Sequence, residues 1–567
     1  MAGRPLDIRL RVAGWLELRG PLHVGGLGGD PSVDLPVAVD GRSRLYVPGT
    51  SLAGALRGWM TGTSARHRLG QLWGFVPDSD EPDPQEVGDP DIDPVRRAEG
   101  QASRVVLRDG LLCETADLGS PLPRRRLEIR TSVGIDRWTG TAAEGILFTR
   151  AIVPAGTYLS FELDVESTDE TRARDRARLV ALLDALRAGE ISLGGAVSRG
   201  LGRLRLLDDV TIDEQDFAGK SGLLAFLRDG GQRRSLADMR AAAVADDAAL
   251  TARRHLVVTV VWEPIAPVMV RADRAGGELD SLPLTGRVSD GPDGSPQLRL
   301  AIPGGSLKGV LRTRAELILR TVAGETTGEP ASVPLSAEFH DQLRMAVLQP
   351  VWALFGEPPR LPGRRARDET PRRIPWGRGA AQVDDCVSAD TLDARQWERL
   401  VVEKDIPADL RAWMTANRLE QADHVAIDRW TGGAADKLLF TVLEPWAVDW
   451  LPITVTLDLD RLDELENRPE RPEERVEPGP ESDVAVGLLL LVLRDLELGR
   501  LPIGQGVNRG FGDITASVTV RHPDDGVPRP LADYVRSDQG TRAMDAWRAY
   551  CASLFAVATA TQPEVPA

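Results

Sequence analysis

Ile135-Asp-Arg-Trp-Thr-Gly140 recurs letter for letter as Ile427-Asp-Arg-Trp-Thr-Gly432, and the organisation of the whole chain follows from that repeat. Each hexapeptide leads through small residues into an apolar segment, Gly145-Ile-Leu-Phe-Thr149 or Lys437-Leu-Leu-Phe-Thr441. Upstream, Val47-Pro-Gly-Thr-Ser-Leu-Ala-Gly-Ala-Leu-Arg57 answers Ile302-Pro-Gly-Gly-Ser-Leu-Lys-Gly-Val-Leu-Arg312. An aromatic and a glycine close the apolar stretch after each, Leu72-Trp-Gly74 and Leu354-Phe-Gly356. Downstream, Leu193-Gly-Gly-Ala-Val-Ser-Arg-Gly-Leu-Gly202 answers Ile503-Gly-Gln-Gly-Val-Asn-Arg-Gly-Phe-Gly512. Apolar residues at helical spacing predict a helix before each of these, over Arg174–Ala188 and Asp483–Leu496.

Matched blocks in one order define a tandem duplication. The first copy covers residues 5–210 and the second 254–520. Residues 211–253, with alanine-rich Leu236–Thr251, read as a helical linker. Residues 521–567 read as a C-terminal helix over Leu531–Ala558 and a loose tail at 562–567. The second copy carries extra length near Thr321–Gln421 and Asp463–Asp483.

The 567 residues exceed one domain, and 42% hydrophobic content suffices for two cores. No stretch reaches the eighteen apolar residues of a membrane span; Val484–Leu493 runs into Arg494 and Asp495 and reads as a buried helix. The start, Met1-Ala-Gly-Arg-Pro5, lacks the apolar core of a secretory signal. Three cysteines, far apart and without a CxxC pair, give no disulfide framework or cysteine zinc site, which fits a reducing cytoplasm. A net charge of −16 counts against a simple nucleic-acid binder. Two Pro- and acid-rich stretches, Asp78–Asp93 and Asp463–Asp483, carry much of it and read as solvated loops.

Each block has a functional and a plain reading. The Pro-Gly block is a helix start, with Thr50 or Ser51 as cap and N–H groups open to a phosphate; Arg57, Lys308 and Arg312 add positive charge. Taken alone, this block is explained better by ordinary capping and packing glycines. The Gly-rich block sets Arg199 or Arg509 among glycines that cradle a phosphate or make a tight helix-to-strand turn. The repeated hexapeptide reads as a hairpin tip whose Trp138 or Trp430 could wedge against bases while Arg137 or Arg429 holds phosphate. A buried tryptophan beside a structural Asp–Arg pair is the alternative. The loop Leu22–Asp40 carries His23, Asp30, Asp34 and Asp40, carboxylates able to bring Mg²⁺ or a general base to a phosphodiester, or to serve as turn residues.

Together, Leu22-His-Val-Gly-Gly26, Val33-Asp-Leu-Pro-Val-Ala-Val-Asp-Gly41 and the three repeated blocks resemble the RAMP superfamily, and within it the Cas seven (Csm-three-like) backbone subunits of type III CRISPR effectors. Two such modules in one chain look like the fused subunits of type III-D-related systems. The resemblance implies an α+β fold: two tandem ferredoxin-like, RRM-like domains, each with a thumb hairpin. It implies CRISPR RNA, complementary target RNA and other effector subunits as partners. It also implies RNA contacts by His23, Ser51, Ser306, Lys308 and the arginines and tryptophans named above, the helix start and Gly-rich turn holding guide backbone and the hexapeptides lying in or near the thumbs. Asp34 would be the target-RNA cleavage residue, with Mg²⁺ or another divalent cation. Asp280 is the second candidate, offset by one residue because Ser281 intervenes before Leu-Pro. An inactive RNA-binding subunit and a CRISPR RNA processing endonuclease are the alternatives; none of the six histidines is matched between copies, which ranks processing last.

Overall fold

The computed structural model describes residues 5–26, 33–62, 70–74, 101–242, 253–273, 276–288, 294–327, 335–358, 376–468 and 479–560. The acidic stretch 78–93, Asp30 and the tail 562–567 lie outside them. The chain divides into two compact units. The first holds residues 1–128, 151–197 and 201–253; the second holds 129–150, 198–200 and 254–567.

In the first unit, strand Ile8–Leu18 alternates inward Ile8, Leu10, Val12, Leu16 and Leu18 with outward residues, the period of a half-buried strand. It lies antiparallel between Tyr158–Ser167 and Thr211–Asp216, and Gly110–Cys113 joins beyond Tyr158–Ser167. The helices Gly49–Thr61 and Arg172–Ala188 cover this sheet, placing Leu52, Leu56 and Met60 in one core with Leu179, Leu183 and Leu186. Taken along the chain, the four strands stand in the order fourth, first, third, second. With two intervening helices this is the ferredoxin-like arrangement.

The second unit repeats the plan. Strand His255–Pro264 lies between Ile453–Asp458 and Ile514–Arg521, with Ala381–Val383 outside the former. Helix Gly304–Ala323 supplies Leu307, Leu311, Ala315 and Leu319 at helical spacing, and helix Ser482–Glu497 supplies Val484, Leu488 and Leu493. Both bury these side chains with Val258 and Val455 in one core. Among the described residues no helix is long and apolar enough to cross a membrane.

Three expectations change. Residues 211–253 are no simple linker: Thr211–Asp216 is an inner sheet strand because Ile212 pairs with Val12 and is buried. Only Lys220–Asp229 and Leu236–Ala241 are helical there among the described residues. The C-terminal helix is two, Leu531–Val535 and Asp538–Ala560, with a break at Arg536 and Ser537. The first copy's hairpin, Glu128–Ile135 with Ala142–Ile152, belongs for most of its length to the second unit.

Candidate functional site

The hairpin tips show what the repeated hexapeptide is for. Asp136 accepts bonds from Trp138 N at 2.9 Å and Thr139 N at 2.8 Å. Asp428 does the same for Trp430 N at 2.8 Å and Thr431 N at 2.7 Å. In Asp428 these backbone bonds hold the carboxyl below its ordinary pKa. The aspartate therefore closes the turn, and the tryptophan is thrown outward: Trp138 is 50% exposed and Trp430 96%. Neither the buried tryptophan nor the Asp–Arg pair occurs.

The two tips then differ. Arg137 donates to Glu316 at 2.7 Å, its backbone N donates to Gln342 Oε1 at 2.9 Å, and Gln342 Nε2 donates to Asp136 at 3.0 Å. Phe339 and Leu343 pack on Ala143 and Ile146. In the second tip Arg429 is exposed, without a side-chain partner among the described residues.

Both Pro-Gly helix starts are closed by an aspartate remote in sequence. Asp109 Oδ1 accepts from Gly49 N at 2.7 Å, and Asp385 Oδ1 accepts from Gly304 N at 2.8 Å while its other oxygen meets Arg130. Thr50, Ser51 and Ser306 cap nothing; the N-cap residues are Pro48 and Pro303. Lys308 is buried, with Nζ donating to Ala381 O at 2.8 Å. Burial, followed by repulsion from Arg199, Arg312 and Arg378, pulls its pKa down to about 7. Arg312 is spent on Glu316 (2.8 Å) and Gly356 O (3.1 Å), whereas Arg57 is exposed and keeps its guanidinium unpartnered among the described residues. Lys308, Arg312 and Arg137 thus point their charges into protein rather than outward.

The Gly-rich blocks are tight turns. Gly194 has φ +84° with its Cβ position 2.3 Å from His23 O; Gly504 has φ +95° and a Cβ position 2.4 Å from Met269 O. Only glycine fits either place. Their neighbours' N–H groups are taken: Gly195 N donates to His23 O at 2.8 Å, Gln505 N to Met269 O at 2.9 Å. What reaches outward is the arginine. Arg199 keeps an exposed side chain, and the protein around it removes hydration and lowers its pKa. Arg509 lies 5.7 Å from the Phe440 ring centroid.

Backbone bonds align the two aspartate loops. Ala151 N donates to Leu35 O at 3.0 Å in the first unit; Leu443 N donates to Ser281 O at 3.0 Å in the second. Ala38 N meets Val24 O (2.9 Å) just as Leu284 N meets Val270 O (2.7 Å). Ala151 and Leu443 hold equivalent places after the hexapeptides, so Leu35 corresponds to Ser281 and Asp34 to Asp280. The apparent one-residue offset vanishes, and both aspartates are exposed. His23, which corresponds to Met269, is buried with Nδ1 2.8 Å from Ala151 O.

In the second unit the loop borders a cleft of about 170 Å³ lined by Arg271, Asp280, Ser281, His424, Phe440, Val442, Gln505, Gly506, Arg509 and Phe511. Thr441 N donates to Asp280 Oδ2 at 2.8 Å, and Arg271 to Asp280 O at 3.3 Å. The cleft thus joins Asp280 and Arg509, two residues expected at the site, with Arg271, His424 and two phenylalanines that were not. The short Arg271-to-Asp280 spacing could have signalled the former; His424 gave no signal, since the first copy has Ser132 in its place.

A family model described as the RAMP superfamily matches residues 15–205 and 288–515. Among curated proteins, the chain is 26% identical over 224 residues to the CRISPR system Cms endoribonuclease Csm3 of Methanocaldococcus jannaschii, covering 37% of this chain and 82% of that relative.

Proposed function

Since the chain belongs to the RAMP superfamily, in two successive regions, we propose that it is a double RNA-binding backbone subunit of a type III CRISPR effector, holding CRISPR RNA paired with target RNA and cutting the target. The observation that carries this reading is the pair of equivalent exposed aspartates, Asp34 and Asp280, each on a loop bonded to the far strand of a hairpin. The relative's name, an endoribonuclease of a CRISPR system, supports it. Arg57, Arg199, Arg429 and Arg509 supply outward charge for phosphates, and Trp138 and Trp430 supply faces for bases. The remaining surface is free to meet neighbouring subunits, which reconciles RNA binding with the acidic net charge. The place of action would be the cytoplasm.

The cut joins the 2′-oxygen to the adjacent phosphorus as the bond to the 5′-oxygen breaks, leaving a cyclic phosphate and a 5′-hydroxyl. Asp280 Oδ1 has no hydrogen-bond partner among the described residues and is open to this chemistry. Among those residues no three His, Cys, Asp or Glu side chains converge. Mg²⁺ is ordinarily held by one or two carboxylates with phosphate oxygens and water, so a lone aspartate fits an ion completed by the RNA. Such an ion would neutralise charge on the phosphate. A second reading, a structural subunit that does not cut, draws on the Thr441 bond that gives Asp280 a turn-holding role. Assembly with guide RNA and neighbouring subunits, followed by end-labelled target with Mg²⁺ or EDTA, separates them. Metal-dependent products ending in cyclic phosphate support cleavage; target binding without products supports the structural reading.

A further inference from the structure

The second hairpin carries an imidazole–carboxylate pair that its counterpart lacks. His424 Nε2 lies 2.8 Å from Glu444 Oε1. Glu444 is buried, and its other oxygen accepts from Trp446 Nε1 at 3.0 Å, so the carboxylate is fixed. The imidazole stacks on Phe440, with centroids 5.3 Å apart and 12° between planes, and meets Phe511 edge-on at 5.9 Å. Its ring borders the same cleft as Asp280 and Arg509. With Nε2–H donated to the carboxylate, Nδ1 is the nitrogen left to exchange a proton, and it has no hydrogen-bond partner among the described residues.

The fold does not require this pair. At the equivalent positions of the first hairpin stand Ser132 and Ile152, while Phe148 matches Phe440 and Thr149 matches Thr441. A histidine held by a buried carboxylate at the edge of a cleft, and dispensable to the same hairpin elsewhere in the chain, points to chemistry. Imidazole is the side chain best suited to hand a proton to a leaving oxygen near neutral pH.

We propose that His424, oriented by Glu444, is the general acid for the cut made at Asp280; this rests on the reading of Asp280 as a cleavage residue. The 2′-hydroxyl loses its proton to solvent as the new O–P bond forms. The P–O5′ bond breaks, and the Nδ1–H of the imidazolium passes its proton to the departing 5′-oxygen. Solvent then returns a proton to the imidazole.

The test uses the assembled complex with guide RNA, comparing wild type, His424→Ala, His424→Gln and Asp280→Ala. Two targets are offered: ordinary RNA, and RNA with sulfur replacing the bridging 5′-oxygen at the Asp280-dependent position, a leaving group that needs no proton. On ordinary RNA both His424 variants should slow that cut by roughly 10²-fold or more, with the Asp34-dependent cut unchanged. On the sulfur target they should approach wild type, while Asp280→Ala stays inactive. An Asp280-dependent cut that is indifferent to His424, or a defect the sulfur target leaves in place, overturns this proposal alone. A wild type with no Asp280-dependent cut overturns the cleavage reading and this proposal with it.

Discussion

Glu316 is the residue on which docking of the first hairpin turns, and removing it has a calculable cost. It is fully buried and meets Arg137 at 2.7 Å, Arg312 at 2.8 Å and Arg320 at 3.5 Å. Glu316→Ala would leave these three guanidiniums crowded in a site with 16% or less side-chain exposure each and no carboxylate to balance them. Breaking a buried ion network from one side costs about 3–5 kcal/mol. At roughly 2–4 °C per kcal/mol for a large domain, the unfolding transition of the second unit should fall by on the order of 10 °C. Calorimetry reads the shift, and hydrogen exchange over 129–150 should show the hairpin losing protection first. Replacing Arg137 and Glu316 together by methionine should recover only part of the loss, because Arg312 and Arg320 still lack their carboxylate. The pH dependence has a definite sign. Burial alone would raise the Glu316 pKa, but Arg137 and Arg312 outweigh it and hold the group below its ordinary value. A depressed carboxylate stabilises the fold above its unfolded pKa of about 4.3 and loses that contribution as pH falls through the folded value. An unchanged transition in Glu316→Ala would refute the reasoning.

Three further outcomes follow from single side chains. Lys308→Met should stabilise the chain by about 2 kcal/mol or more at pH 7 and leave guide affinity unchanged. Because the folded pKa is about 7, below the unfolded value, wild-type stability should rise with pH from there toward about 10.4, and the variant should lose that slope under urea titration. Gly504→Ala meets both a left-handed backbone and the Met269 carbonyl, so denaturant melts should show a loss of about 2–4 kcal/mol. Trp430→Ala touches no core and should leave melting unchanged, while weakening RNA binding in a filter assay by about 1–3 kcal/mol.

The duplication was legible because it is written in short contiguous blocks, and those blocks became matching helices, turns and hairpin tips. What escaped depends on distance along the chain. Asp109 and Asp385 close helix starts at Gly49 and Gly304, many residues away, and no local pattern links them. Matching Leu-Pro to Leu-Pro misaligned the two aspartate loops, since the backbone pairs Pro36 with Leu282 and lets Pro283 take the place of Val37. The identical hexapeptides hid opposite fates. Arg137 finds Glu316, whereas Arg429 is exposed and finds no side-chain partner among the described residues. Lys308 looked like a phosphate ligand because a helix start advertises charge without revealing which face is buried.

The most direct test of two equivalent cleavage sites is a sequencing gel of guide-paired target RNA cut by complexes carrying Asp34→Ala, Asp280→Ala or both. Backbone equivalence of the two loops predicts that each single substitution removes a different product, that the double variant removes both, and that all bind guide RNA as wild type does. A product pattern untouched by either substitution would contradict the assignment of these two aspartates to cleavage.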